Sequence, residues 1–186
     1  MILYINYNIN SLCNKILKEQ LDKLELKYSI TSFSEVEIRE TITDAKMKQL
    51  NAALNNYSIE IVENQKSIMI QKIKDAIIEM VFLEEKLPLK TSSYLSNKLC
   101  QSYGYLSNLF SNVTYSTIEN FVLLQKTERA KQLLTTNEFT ITEIGIKLYY
   151  SSTAHFCNQF KRVTGLTPTA FQRIINKRHK PDKVEQ

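Results

Sequence analysis

The chain has 186 residues, a net charge of +5 and 43% hydrophobic residues, enough to bury one or two modest cores. No apolar run approaches the ~20 residues needed to cross a bilayer, and the first residues lack the basic-then-apolar order of a signal peptide, so the expectation is a cytoplasmic protein with no membrane partner. Three scattered cysteines, Cys13, Cys100 and Cys157, argue against a disulfide framework, and three glycines leave no nucleotide-binding loop.

The first elements follow hydrophobic periodicity. Ile2 to Asn6 reads as a short strand, and Ser11 to Leu24 as a helix with Leu12, Ile16, Leu17, Leu21 and Leu24 inward. Lys27 to Phe33 reads as a second strand, and Glu35 to Ile38 as a third in which Val36 and Ile38 alternate with charges. Thr43 is an N-cap for a helix through Met47, Leu50 and Leu54, and Tyr57 to Val62 alternates as a final strand. The expected fold class is therefore α+β, with a βαββαβ ferredoxin-like domain over residues 1–63. This order resembles the heavy-metal-associated fold of metallochaperones, which carries two cysteines separated by two residues just after its first strand. The matching positions here are Asn10 and Cys13. One thiolate and one amide make a poor site for a soft ion, so neither a metal nor another cofactor is expected, and the domain reads as structural or effector-sensing.

A connecting helix is predicted over Asn64 to Lys86, with Ile68, Ile73, Ile77, Met80 and Val81 interleaved with charges. Its apolar stripe has two readings, packing within the chain or pairing with a second copy in a homodimer. Met69, Ile73, Ala76 and Met80 follow a 4-3-4 spacing, but two heptads are too few to choose.

Charge then changes sign. Residues 1–85 carry a net −3 and residues 86–186 a net +8, and a basic half suits a polyanion, since Lys and Arg contacts to phosphate supply most sequence-independent DNA affinity. Short helices with apolar pairs, Leu95 with Leu99 and Ile144 with Leu148, each precede a second helix by a few residues, which is helix-turn-helix anatomy. Leu106-Ser107-Asn108-Leu109-Phe110 is matched 50 residues later by Phe156-Cys157-Asn158-Gln159-Phe160, and Val113-Thr114 by Val163-Thr164, so one apolar frame occurs twice with Asn at the same outward position. Thr117 to Thr135 reads as one amphipathic helix of about 28 Å, long enough to hold two recognition helices apart on successive major grooves. Phe156, Phe160 and Val163 would face a core, with Cys157, Asn158, Lys161 and Arg162 toward solvent. Gly165 then ends the helix and Pro168 forbids its return.

The run Phe156 to Pro168, ending Thr164-Gly165-Leu166-Thr167-Pro168, closely resembles the second helix-turn-helix of AraC/XylS-type transcriptional regulators. The resemblance covers roughly Leu87 to Arg173 and implies an all-α DNA-binding domain over residues 87–175, ahead of a basic tail over 176–186. Metallochaperone-like domains also stand in front of AraC-type domains in some bacterial regulators. The resemblance further implies double-stranded operator or promoter DNA as a partner, and RNA polymerase as a second one. Its DNA contacts carry over to Tyr103, Gly104, Ser107, Asn108 and Ser111 in the first unit, and to Thr153, Ala154, Cys157, Asn158, Lys161 and Arg162 in the second. Asn can pair with the N6 donor and N7 acceptor of adenine without charge, so Asn at both outward positions implies a preference for A·T-containing half-sites. The alternative for each is a solvated surface amide.

Cys100, Tyr115 and Tyr149 stand at turn positions where the resemblance leads one to expect Gly, so those turns are either re-routed or strained. Gly145 stands where a small Ala is usual. His155 reads as a partly buried histidine beside the second recognition helix. No Ser-His-Asp, His-Glu or paired-carboxylate cluster has a motif's spacing, so catalysis is not expected. The reading is a sequence-specific transcriptional regulator with two adjacent major-groove contacts. The alternative is a ferredoxin-like metal-handling or protein-interaction module whose helix-turn-helix partner is degenerate.

Overall fold

A computed structural model describes residue 5 and residues 9–31, 34–82 and 90–179. Two compact units divide between Asp75 and Ala76. In order, the described elements are α1 (Ile9–Lys23), β1 (Tyr28–Ile30), β2 (Val36–Ile38), α2 (Asp44–Asn55), α3 (Gln65–Phe82), α4 (Thr91–Leu99), α5 (Tyr103–Thr114), α6 (Ile118–Thr136), α7 (Ile141–Lys147), α8 (Thr153–Thr164) and α9 (Pro168–His179). The unit boundary falls inside α3.

In the first unit α1 packs on α2, and Leu21, Leu26, Leu50 and Leu54 form a small core that Ile38, Ile42 and Ile59 border. The hairpin β1–β2 is antiparallel, with Tyr28 opposite Ile38 and Ile30 opposite Val36, and it is the only sheet among the described residues. Thr43 does cap α2, its hydroxyl accepting from the Lys46 N–H at 3.3 Å.

The βαββαβ expectation is overturned. The first expected strand lies almost wholly outside the described residues. The final one, Tyr57 to Val62, is turn and irregular chain. Its backbone donors are consumed by the end of α2: Tyr57 N–H bonds to Leu54 O, Ser58 N–H to Asn55 O and Ile59 N–H to Leu54 O at 2.9–3.1 Å, with Ser58 at φ 57°. That is a left-handed helix stop, and N–H groups satisfied there cannot join a ladder. Only Ile59 reaches the core, while Tyr57, Ile61 and Val62 are exposed. Asn64 then starts α3, its side-chain oxygen accepting from Lys66 N–H at 2.8 Å, so too few residues remain for a strand. Without the four-stranded sheet, the resemblance to a heavy-metal-associated domain loses its scaffold.

Ile73, Ala76 and Met80, three of the four residues of the 4-3-4 stripe on α3, are already buried within a single chain. No described helix is long and apolar enough to cross a membrane.

The second unit is all-helical among its described residues and is organised around α6, which packs on α5, α7, α8 and α9. One core joins Ala130, Leu133 and Leu134 of α6 to Ile144, Leu148, Phe156 and Phe160, with Phe171 of α9 against it. At its far end α6 stops at Asn137 in the left-handed conformation. The Asn137 carboxamide donates to Asn176 Oδ1 at 2.9 Å and accepts from Gln172 and Asn176 at 3.0 and 3.1 Å, pinning α9 to this end. Helix α9 therefore continues through residues 176–179.

Candidate nucleic-acid interface

The 50-residue repeat is a repeat of structure as well as of sequence. Ser102 and Ser152 cap α5 and α8, each hydroxyl accepting from the N–H three residues on, at 3.3 and 3.1 Å. Leu106 and Phe110 are buried at the positions of Phe156 and Phe160. Thr114 and Thr164 donate to Phe110 O and Phe160 O, both at 2.8 Å, and each hydroxyl also bonds to the carbonyl two residues ahead. Thr117 and Thr167 then cap α6 and α9, and Phe121 and Phe171 set their rings 5.7 and 5.6 Å from Phe110 and Phe160. The first turn of α6 is thus the counterpart of α9. The units differ inside the turn. The left-handed residue is Cys100 in one and Tyr149 in the other, 49 residues apart, so the second turn is one residue longer.

Tyr115 and Gly165 occupy the same left-handed C-cap, at φ 55° and 77°, each N–H bonding to the carbonyl four residues back. Together with Cys100 at φ 52° and Tyr149 at φ 58°, this shows the glycine-type turns kept without glycine rather than re-routed. The Tyr115 side chain is 93% exposed and buries nothing in return. Tyr115→Gly should therefore raise stability by about 1 kcal/mol, and Gly165→Ala should lower it by about as much, because a Cβ is disfavoured in this conformation. Urea denaturation of both variants checks the pair, and a loss of stability in Tyr115→Gly would refute it. At Gly145 an added Cβ would sit 3.6 Å from the Phe156 Cβ, an ordinary contact, so close packing does not require the glycine.

The expected site residues divide by exposure. Gly104 and Asn108 on α5, and Ala154, Asn158, Lys161 and Arg162 on α8, are exposed. Tyr103, Ser107, Ser111, Thr153 and Cys157 are half-buried. Tyr103 donates its hydroxyl to Glu119 on the first turn of α6. Burial and that bond push the phenol well above its ordinary range, while the bond holds the Glu119 carboxyl below its own. Ser111 turns its hydroxyl back to Ser107 O at 2.6 Å, and Thr153 reaches Thr142 at 3.4 Å. Cys157, expected toward solvent, packs against the second-unit core.

Four exposed residues of the same helices lie outside the expected set: Tyr105, Asn112, Val113 and His155. His155, expected to be partly buried, is exposed; Ser151 Oγ lies 3.1 Å from its Nδ1 and the Tyr150 ring stands edge-on at 5.4 Å. Helical spacing on α5 could have revealed Tyr105 and Asn112, about one and three turns along the face that starts at the Ser102 cap.

Cations are distributed unevenly. On α6, Lys126 sits over the Tyr150 ring at 5.0 Å, where burial lowers its pKa, Arg129 lies over Phe82 at 5.1 Å, and Lys131 pairs with Glu128. Lys161, Arg162, Arg173 and Lys177 are exposed and have no ion-pair partner among the described residues. Helices α8 and α9 therefore present the open positive charge.

A family model described as a helix-turn-helix domain matches residues 95–174. The F1 operon positive regulatory protein of Yersinia pestis is 33% identical over 73 residues, 39% of this chain and 24% of that protein, so the match spans about a quarter of the relative. The C-terminal domain of AraT, a response regulator from Geobacillus stearothermophilus, shares the fold at 19% identity and a TM-score of 0.52, over 66% of this chain and 96% of that one. The DNA-binding domain of the global transcriptional factor AdpA, solved with a target DNA, does so at 18% and 0.50, over 59% and 95%. Residues 95–174, with their duplicated caps, turns and buried aromatics, are a helix-turn-helix domain.

Proposed function

We propose that this chain is a sequence-specific transcriptional regulator that binds double-stranded DNA through α5 and α8, each lying in one of two successive major-groove segments. The observation that carries the reading is the duplication: two capped helices at the same offset expose Asn108 and Asn158 at equivalent positions, and neither carboxamide has a hydrogen-bond partner among the described residues. An outward, unspent amide suits adenine, and the open cations of α8 and α9 suit the phosphates on either side. The 19 residues of α6 give a spacer of about 28 Å, comparable with the ~34 Å recurrence of the groove. The AdpA domain, which shares the fold, binds a target DNA, and the Yersinia relative is a positive regulatory protein of an operon; both agree with this reading. The alternative of a metal-handling module is not favoured, because the described residues form a two-stranded hairpin and not its four-stranded sheet. The proposed DNA-binding piece begins near residue 87.

Selection from random duplexes, followed by binding to single-base variants of the selected site, tests the reading. Asn158→Ala should cost about 1–3 kcal/mol on the preferred site and relax the choice at one base pair, with little change on unrelated DNA. Lys161→Ala should weaken all sequences alike. An unchanged ranking of sites in Asn158→Ala, with the fold intact, would reduce that amide to a solvated surface group.

A further inference from the structure

The two recognition helices are alike in backbone and unlike in charge. From Thr91 to Thr117, across α4, the turn and α5, the one charged residue is Lys98. Lys98 is already paired, its ammonium lying 2.5 Å from the Glu79 carboxylate, so its charge is locally neutralised. The corresponding stretch of the second unit, Ile141 to Thr167, carries Lys147, Lys161 and Arg162 against the single Glu143. Glu143 is committed to the capping box of α7, where it accepts from the Thr140 N–H at 2.7 Å.

What α5 exposes instead is neutral. Asn108 and Asn112 are both exposed and stand one helical turn apart, about 6 Å along the axis. Neither side chain bonds to anything among the described residues, whereas the nearby Asn120 amide is spent on Ser116 Oγ at 3.0 Å. Tyr105 is 48% exposed on the same helix, and at Gly104 a Cβ would meet nothing within 4 Å, so a base edge can approach the backbone there. Tyr105 lies in the first turn of α5, where recognition helices contact base edges, and Asn108 and Asn112 continue the same face toward its C-terminal end.

We propose that the two units divide the work on DNA. In this division α8 grips phosphate and reads bases, while α5 is a neutral base reader in which Asn112 and Tyr105 join Asn108 in setting specificity for an A·T-containing segment. Carboxamides bind adenine without releasing counterions, so α5 adds selectivity and almost no salt dependence, and the salt dependence belongs to Lys161, Arg162 and the cations of α9. The proposal rests on the DNA-binding reading above and adds which unit supplies which part of the energy.

The test measures affinity of the full chain for its selected duplex, and for a duplex with the α5-facing base pairs exchanged, over a range of salt concentrations. Exchanging those pairs should weaken binding about ten- to hundredfold and leave the slope of log affinity against log salt unchanged. Asn112→Ala should weaken the preferred site about five- to hundredfold and relax one base-pair choice, again at constant slope. Asn112→Lys should strengthen binding to unrelated duplexes, lose the base-pair choice that Asn112 sets and steepen the slope by about one, whereas Arg162→Ala should make it shallower by about one. All three variants change exposed positions, and an unchanged melting temperature shows that the fold is kept. If the α5-side exchange or Asn112→Ala flattens the slope, or leaves site preference untouched while duplex DNA is still bound, the division of labour is overturned and the DNA-binding reading stands. Failure to bind any duplex overturns both.

Discussion

Phe160→Ala should cost about 3–5 kcal/mol, the largest single effect on stability expected in this chain. The ring is fully buried and is the hinge of the second helix-turn-helix core, edge-on to Phe156 at 5.9 Å and to Phe171 at 5.6 Å, with Ala130, Leu134, Ile144 and Leu148 in the same cluster. Truncation removes contacts with three helices at once and leaves a cavity that the rigid α6 cannot collapse into. Typical domains are stable by only about 5–15 kcal/mol, so the variant should sit close to unfolding. The repeat sharpens the expectation: Phe110→Ala removes the counterpart ring, whose partner Phe121 lies 5.7 Å away, and should fall in the same range. Urea titration followed by circular dichroism measures both. A cost below about 1 kcal/mol for Phe160→Ala would contradict the packing described.

Duplex binding should weaken about a hundredfold between ~50 and ~200 mM salt. The figure follows from four phosphate contacts, by Lys161, Arg162, Arg173 and Lys177, each releasing close to one counterion. These are the exposed cations of α8 and α9 without ion-pair partners among the described residues, whereas those of α6 are held against Tyr150, Phe82 and Glu128. A salt-insensitive affinity would remove the electrostatic basis of the proposal. A slope several times steeper would mean that other cations reach the backbone.

The second unit was legible because its signals are local and repeated. The repeated apolar frame and the Gly165 stop are short-range chemistry, and both hold in the structure, whereas the serine caps of α5 and α8, equally local, emerged only from the structure. The turns at Cys100, Tyr115 and Tyr149 left two outcomes open, re-routed or strained, and the left-handed geometry persists, because helices fixed by buried aromatics on both sides can hold a strained residue in place. Side-chain direction was less legible. Tyr103, expected in the groove, gives its hydroxyl to Glu119, a partner 16 residues away, and Cys157, next to Asn158, packs inward because the core of α6 and α7 reaches that far around α8.

The sequence by itself determined the duplicated helix-turn-helix, its period, the Gly165 stop and the two outward asparagines, since all of these depend on residues within a turn or two of one another. Only the tertiary structure decided the fate of residues 57–62 and which cations of the second unit stay open to solvent. Alternation at 57–62 is compatible with a strand, but a strand needs a neighbour, and the end of α2 claims the N–H groups of Tyr57, Ser58 and Ile59 first. Likewise a count of lysines and arginines cannot separate a cation facing solvent from one lying over a ring or beside a carboxylate. That distinction depends on which helices pack together, and it sets Lys98 and the cations of α6 against carboxylates and rings while leaving those of α8 and α9 open.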